Sequence, residues 1–272
     1  MKTEKGLEAA REEYSRSKTG PFTVLPVSIC YLPVSRTIAT ETLETILSSS
    51  PSDVKPTGHD PFAERDAILQ RRFTDRSNEL GHVEYIFDLG NWNPFFVPDP
   101  SSGKKYCSML QILQYPFSRG SIHIRRETSN GRDALGLAID PGYYSGRGAR
   151  DLEIALHSLK MAEKICATQP LASIIRGQVS PRPEEVRTDA DLREWIRQTM
   201  VTDWHPVGTC AMGGKAGARV GVVDSRLRVY GVGRLRVVDA SIMPVQISAH
   251  LQATVYAIAE KGASMILKDL GE

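Results

Sequence analysis

The stretch "DLEIALHSLKMAEKICA", residues 151–167, most constrains what this chain can fold into. Its apolar residues fall at 152, 155, 156, 159, 162 and 165. That is helix spacing, and it gathers them on one face that must be buried against another element. A second such face is predicted over 250–270, "HLQATVYAIAEKGASMILKDL", with apolar positions 251, 255, 258, 262, 265 and 266. Between residues 82 and 126 the pattern changes to strands. "HVEYIFDL" (82–89), "SMLQILQY" (108–115) and "SIHIRR" (121–126) carry strand signals. The last two, separated by "PFSRG", are expected to form a hairpin. Strands followed by long helices give an α+β class, an antiparallel sheet backed by helices.

The remaining segments fit that frame. Residues 2–18 are helical and stop at Gly20-Pro21. "FTVLPVSICYLPV" is extended but broken by Pro, so it suits a sheet edge better than a centre. Short helices are predicted over 41–49 and 64–73, with a Pro, Asp and Gly rich loop over 50–62. Residues 140–149 are expected to be a surface loop. Thr188 with Asp191 resembles a capping box that opens a helix running to about residue 200. "LRVVD", 235–239, reads as a compact apolar strand inside a turn-rich segment. Gly231-Val232-Gly233 lacks the third glycine and the following helix of a dinucleotide fingerprint, so it reads as a turn.

Composition excludes several classes. The chain has 272 residues, 41% hydrophobic and 24% charged, with a net charge of +2. Acids and bases are interspersed, which argues against a nucleic-acid or anionic-membrane surface. The longest uncharged runs, 19–35 and 240–259, contain Pro and polar residues and do not read as membrane spans. The N-terminus is charged from the second residue, unlike a signal peptide. Cys30, Cys107, Cys166 and Cys210 are widely spaced, and they are expected to be buried free thiols rather than a disulfide framework.

The chemistry is expected in "TDWHPVGTCAMGG", residues 202–214, which suits neither helix nor strand. His205 there is a candidate general base, since imidazole titrates near neutral pH. His250 stands at the start of the last helix, where N–H groups face a ligand. Taken singly, each is as readily a packing histidine. His205 and Cys210 are five residues apart with no further ligand in the surrounding sequence, so no metal site is expected.

Together, "DWHPVGTCAMG", "GVVDSRLRVYGVGRLRVVDASIMP" and "HLQATVYAIAEKGA" resemble the C-terminal signature of the glucose-methanol-choline (GMC) oxidoreductases. "RSKTGPF", "FSRGSIHI", "DPGYYS" and "DLEIALHSLKMAEKI" are similar to that family's substrate domain. The resemblance implies FAD and oxidation of a small-molecule alcohol. It assigns His205 as the base and His250 as its partner. It places Asp239 and Ala240 at the FAD pyrophosphate and Leu251 and Gln252 at the isoalloxazine edge. Trp204, a large ring beside a residue that must point into the site, is expected to pack beside the flavin rather than on the surface. It also implies residues 1–200 as substrate domain and 201–272 as the C-terminal segment of a FAD-binding domain. The family's opening G-x-G-x-x-G is not in this sequence. The N-terminal half of that domain is therefore expected to be absent, and FAD binding by this chain to be incomplete. Two other readings stand beside this one: a non-redox lyase or cyclase on the same fold, and an inactive fragment.

Overall fold

The computed structural model describes residues 4–23, 27–49, 63–75, 79–124 and 136–271. The elements in chain order are α1 (Glu4–Ser17), β1 (Val27–Leu32), α2 (Thr40–Ser48), α3 (Ala63–Thr74), β2 (Val83–Asp88), β3 (Ser108–Leu113), β4 (Ser121–Ile124) and β5 (Leu137–Asp140). Then come α4 (Ala149–Cys166), the single turn α5 (Leu171–Ile174), α6 (Asp189–Thr199) and α7 (Gln252–Leu270). The class is the expected α+β mixture. The predicted loop over 50–62 lies outside the described residues, as do positions 125 and 126 of the third strand signal.

The chain divides into two compact units, Met1–Cys30 with Tyr85–Leu110, and Tyr31–Glu84 with Gln111–Glu272. In the first, α1 is followed by a 3-10 turn at Pro21–Thr23, and Tyr14 meets Phe22 edge to face at 6.1 Å. The second unit holds every residue of the site described below.

The three-stranded sheet runs in the order β1-β2-β3, which puts the Pro-flanked β1 at an edge as its sequence predicts. β4 does not pair with β3. It pairs antiparallel with β5, Ser121 opposite Asp140 and Ile124 opposite Leu137. The expected hairpin fails because the chain between β3 and β4 has other partners for its donors. Phe117 and Ser118 donate their backbone N–H groups to the buried Asp151 carboxylate at 2.9 and 2.7 Å, and Pro116 has none to give. β4 and β5 then close on a tight approach. A Cβ on Gly142, where φ is +61°, would fall 2.1 Å from the Arg119 carbonyl oxygen.

The helical core lies between α4 and α6. Leu152, Leu156, Leu159 and Ile196 are buried, with Tyr144, Ala155, Leu192 and Trp195 packed against them. Burying each of these aliphatic side chains stabilises by about 2 kcal/mol. α6 begins as predicted. The Thr188 hydroxyl accepts from Asp191 N, and the Asp191 carboxylate accepts from Thr188 N at 2.8 Å, a complete capping box.

The last 70 or so residues are held differently. Val223, Leu227 and Ile242 form a small buried cluster, with Val237, Val238, Ile258 and Met265 against it. Residues 235–239 are not a strand. The segment makes one antiparallel bridge, Arg228 to Arg236, around the turn that contains Gly231. A strand requires a neighbour along its length, and among the described residues this segment has only that bridge. α7 lies close to it: a Cβ on Gly262 would sit 2.4 Å from Val238 Cγ1. None of the described helices is long and apolar enough to cross a membrane. The cysteines are free as expected but not buried, since Cys30 and Cys107 are exposed and Cys166 and Cys210 are half-buried.

Candidate acid–base site

The Trp-His segment owes its shape to Thr202 and Trp204. Trp204 adopts φ +56°, the left-handed region that a large side chain enters only when its surroundings impose it. Its N–H donates to Thr202 Oγ1 at 3.0 Å. The turn sends the Trp204 ring out to solvent, 71% exposed, and carries His205 the other way into a half-buried position. Beyond it, Cys210 N donates to Ser241 O at 3.0 Å and Met212 N to Ile242 O at 2.9 Å. The loop is thereby fixed to the 3-10 turn Ala240–Ile242, which Asp239 caps by accepting from Ser241 N at 2.8 Å. This accounts for a segment that is neither helix nor strand. Its backbone donors reach a second loop, and its conformation serves to aim one side chain.

The second histidine arrives from the far end of the chain. Ser248 donates its hydroxyl to the Gly81 carbonyl. Gly81 must lack a side chain, since a Cβ there would meet Tyr31 Cβ at 2.6 Å. Two residues later His250 comes into place, with Leu251 buried behind it and Gln252 opening α7. The rings of His205 and His250 are 5.3 Å apart at 75°, edge to face. The family resemblance places these two together, and the structure does so across a separation of 45 positions. Asp239 and Ala240 lie on the turn that anchors the His205 loop. Leu251 provides no side-chain cap for α7, so no side chain accepts at the cap position from the helix's first N–H groups.

Each histidine has its own carboxylate, and the sequence reading singled out neither. His250 Nε2 lies 2.7 Å from Glu84 Oε1. Glu84 is buried on β2 and accepts from Gln114 Nε2 at 3.0 Å. His205 Nδ1 faces both the Asp203 carbonyl and Asp203 Oδ2, the latter at 2.9 Å. Carbonyl and carboxylate oxygens only accept, so these contacts fix the tautomers of the neutral rings. His205 carries its proton on Nδ1 and His250 on Nε2. The lone pairs are left on His205 Nε2 and His250 Nδ1. Tyr31 shares the pocket. Burial, with the Glu84 charge and hydrogen bond and then the Asp203 charge, pushes its hydroxyl up to about 12. The signal for Glu84 was present in the sequence: a Glu inside the apolar run "HVEYIFDL" is a buried charge that must have a partner.

Two such lone pairs can accept a proton at one ring, while the other ring, once protonated at its free nitrogen, can hold the deprotonated oxygen. Comparison with known proteins gives the family. Residues 116–259, over half of the chain, match the family model described as GMC oxidoreductase. The chain is 42% identical over 209 residues to Dehydrogenase mpl7 of Monascus purpureus, covering 75% of this chain and 32% of that protein. It is 38% identical over 174 residues to Versicolorin B synthase of Aspergillus parasiticus, covering 63% of this chain and 26% of that protein. Among solved structures it is similar to an FAD-dependent oxidoreductase from Chaetomium thermophilum, with a TM-score of 0.75 and 25% identity, over 98% of this chain and 43% of that one. The match thus spans between about a quarter and a third of the length of these curated relatives.

Proposed function

The chain belongs to the GMC oxidoreductase family, and on that premise we propose that it contributes the acid–base half of an FAD-dependent oxidation of a small-molecule alcohol. Residues 1–200 are read as the substrate-side domain. Residues 201–272 are read as the segment that joins the flavin domain. The observation that carries the reading is the His205–His250 pair, 5.3 Å apart, with a carboxylate behind each ring.

The residues present fit FAD in part. The first N–H groups of α7, at Gln252 and beyond, have no side-chain cap, which suits an electron-rich ring edge. Asp239 and Ala240 supply a capped turn for the pyrophosphate. Trp204 is read as flanking the flavin, since its exposed ring leaves it open to such a neighbour. When bound, FAD supplies the hydride acceptor.

The protein's own steps are proton steps. His205 Nε2 takes the hydroxyl proton of the alcohol, and Asp203 steadies the imidazolium that forms. His250, paired with the buried Glu84 carboxylate, donates from Nδ1 to the substrate oxygen when it is doubly protonated, and so orients that oxygen. General-base help of this type is worth about 10²–10⁴-fold. In the full-length protein that contains this segment, His205→Ala is expected to keep flavin bound and to abolish its reduction by substrate in anaerobic stopped flow. Reduction at the parent rate overturns the assignment. His250→Asn is expected to be milder, because an amide still hydrogen-bonds the oxygen.

A second reading has its own support, since three relatives are named synthases. There the same His pair performs proton transfer alone. Flavin reduction by substrate separates the two readings.

A further inference from the structure

The histidine pair and its nearest carboxylate have a second chemical capacity. One ligand atom each from Asp203, His205 and His250 lie within 4.8 Å of one another. We infer that these three residues form a binding site for one divalent transition-metal ion, of the class of Cu²⁺ or Zn²⁺.

Three observations converge on it. First, Asp203 Oδ2 and His205 Nδ1 are already 2.9 Å apart, a hydrogen-bond contact slightly closer than two adjacent donors on one ion. With metal–ligand bonds of about 2.0–2.1 Å, neighbouring donors in a tetrahedral site lie roughly 3.3 Å apart. Closing the set therefore takes a shift on the order of 1.5 Å, within reach of side-chain rotation. Second, His250 Nε2 is tied to Glu84, which Gln114 holds in turn. A carboxylate on the remote nitrogen is the arrangement that orients a metal-ligating imidazole and raises its basicity. It leaves Nδ1 of His250 as the donor. Third, the three side chains are open to an arriving ion, at 35%, 28% and 45% exposure for Asp203, His205 and His250. The carboxylates of Asp203 and Glu84 give the neighbourhood the sign that attracts a cation.

The donor set decides the ion. Two imidazole nitrogens and one oxygen favour Cu²⁺ and Zn²⁺, whereas Mg²⁺ and Ca²⁺ require oxygen-rich shells. Binding at Nδ1 moves the neutral proton of His205 to Nε2, with no net proton released from that ring. The ion therefore removes the lone pair that faces substrate in the reading above, and it would act as an inhibitor of the proton step.

The test uses the 272-residue chain and the metals alone. Electron paramagnetic resonance of the chain with one equivalent of Cu²⁺ should show coupling to two imidazole nitrogens. Calorimetry with Zn²⁺ should show one ion per chain. His205→Ala and His250→Ala should each weaken Zn²⁺ at least tenfold, and Glu84→Gln should weaken it about 10–100-fold. His157→Ala, on α4, should leave it unchanged. A copper spectrum with fewer than two nitrogens, or Zn²⁺ binding that survives the double histidine variant, overturns the site. The copper spectrum needs no variant, so a misfolded mutant does not blunt the test. Neither measurement involves FAD or an alcohol, so failure here leaves the acid–base reading standing, and failure of that reading leaves this site standing.

Discussion

Two stretches of similar length, residues 149–199 and 221–271, are built on opposite terms. In the first, α4 and α6 bury one face against each other, and eight residues of α4 are buried. In the second, α7 is one residue longer than α4 but buries only Gly262. Tyr256 is 67% exposed and Leu270 71%. The first stretch is held by periodic burial within itself. The second leans on a few bridges and a small cluster, and it presents its apolar residues outward. The proposed proton chemistry draws on the second kind. His250 lies in it, just before α7, and the His205 loop is hydrogen-bonded to it at Ser241 and Ile242, both in irregular backbone that aims side chains rather than repeating a pattern.

That contrast can be broken most directly by truncating one side chain in each stretch. Leu156→Ala, at a site 1% exposed, is expected to cost about 2–5 kcal/mol in urea unfolding. Tyr256→Ala, on the open face of α7, is expected to fall within about 0.5 kcal/mol of wild type. A cost above about 2 kcal/mol at Tyr256 would mean that α7 is covered in solution, and the contrast would fall.

The anchor of the helical region adds a pH dependence. Burial raises the Asp151 carboxyl from 3.8 to about 6, against the hydrogen bonds from Ser118 and Phe117 and the Arg65 charge. The folded state therefore holds this proton to higher pH than the unfolded chain does. Its contribution is present below about pH 4 and is lost as pH rises to about 6, a change on the order of 3 kcal/mol. The Tm of wild type minus that of Asp151→Asn should fall across that window. A difference that rises instead would show that the hydrogen bonds outweigh burial.

Two smaller changes sharpen the comparison. Gly262→Ala adds a methyl where α7 approaches Val238, and the crowding should cost about 1–3 kcal/mol before a gain of up to about 1 kcal/mol in helix propensity. A net stabilisation would show that α7 moves freely off this segment. Thr188→Ala removes the cap of α6 and should cost about 1 kcal/mol in the same unfolding assay. No loss would mean that the α4–α6 packing alone sets that helix start.

The same division marks what the sequence made legible. The bounds of α1, α4 and α6, the capping box, and β1 as an edge strand follow from spacing and local chemistry. The family resemblance, not local chemistry, pairs His205 with His250, and the structure brings their rings to 5.3 Å. The pairing of β4 with β5 did not, because the donors of Phe117 and Ser118 go to Asp151, a residue more than thirty positions away. The strand expected over 235–239 is a single bridge, since apolar content does not supply a neighbour. Asp203 and Glu84 were not identified as partners. Asp203 stands two residues from His205, but only the left-handed turn at Trp204 brings its carboxylate back onto the ring. Glu84 and His250 are 166 positions apart. Local pattern carries no information about such a meeting beyond the demand that a buried Glu find a donor.

The central claim is that Asp203 and Glu84 hold the two rings in opposite tautomers, leaving His205 Nε2 and His250 Nδ1 unprotonated. Long-range ¹⁵N–¹H correlation spectra of the imidazoles in the 272-residue chain, taken at alkaline pH, measure this directly. The account predicts an Nδ1–H ring for His205 and an Nε2–H ring for His250. Asp203→Ala should return His205 to the Nε2–H form while leaving His250 as it was. Finding both histidines as Nε2–H in the unmodified chain would contradict it.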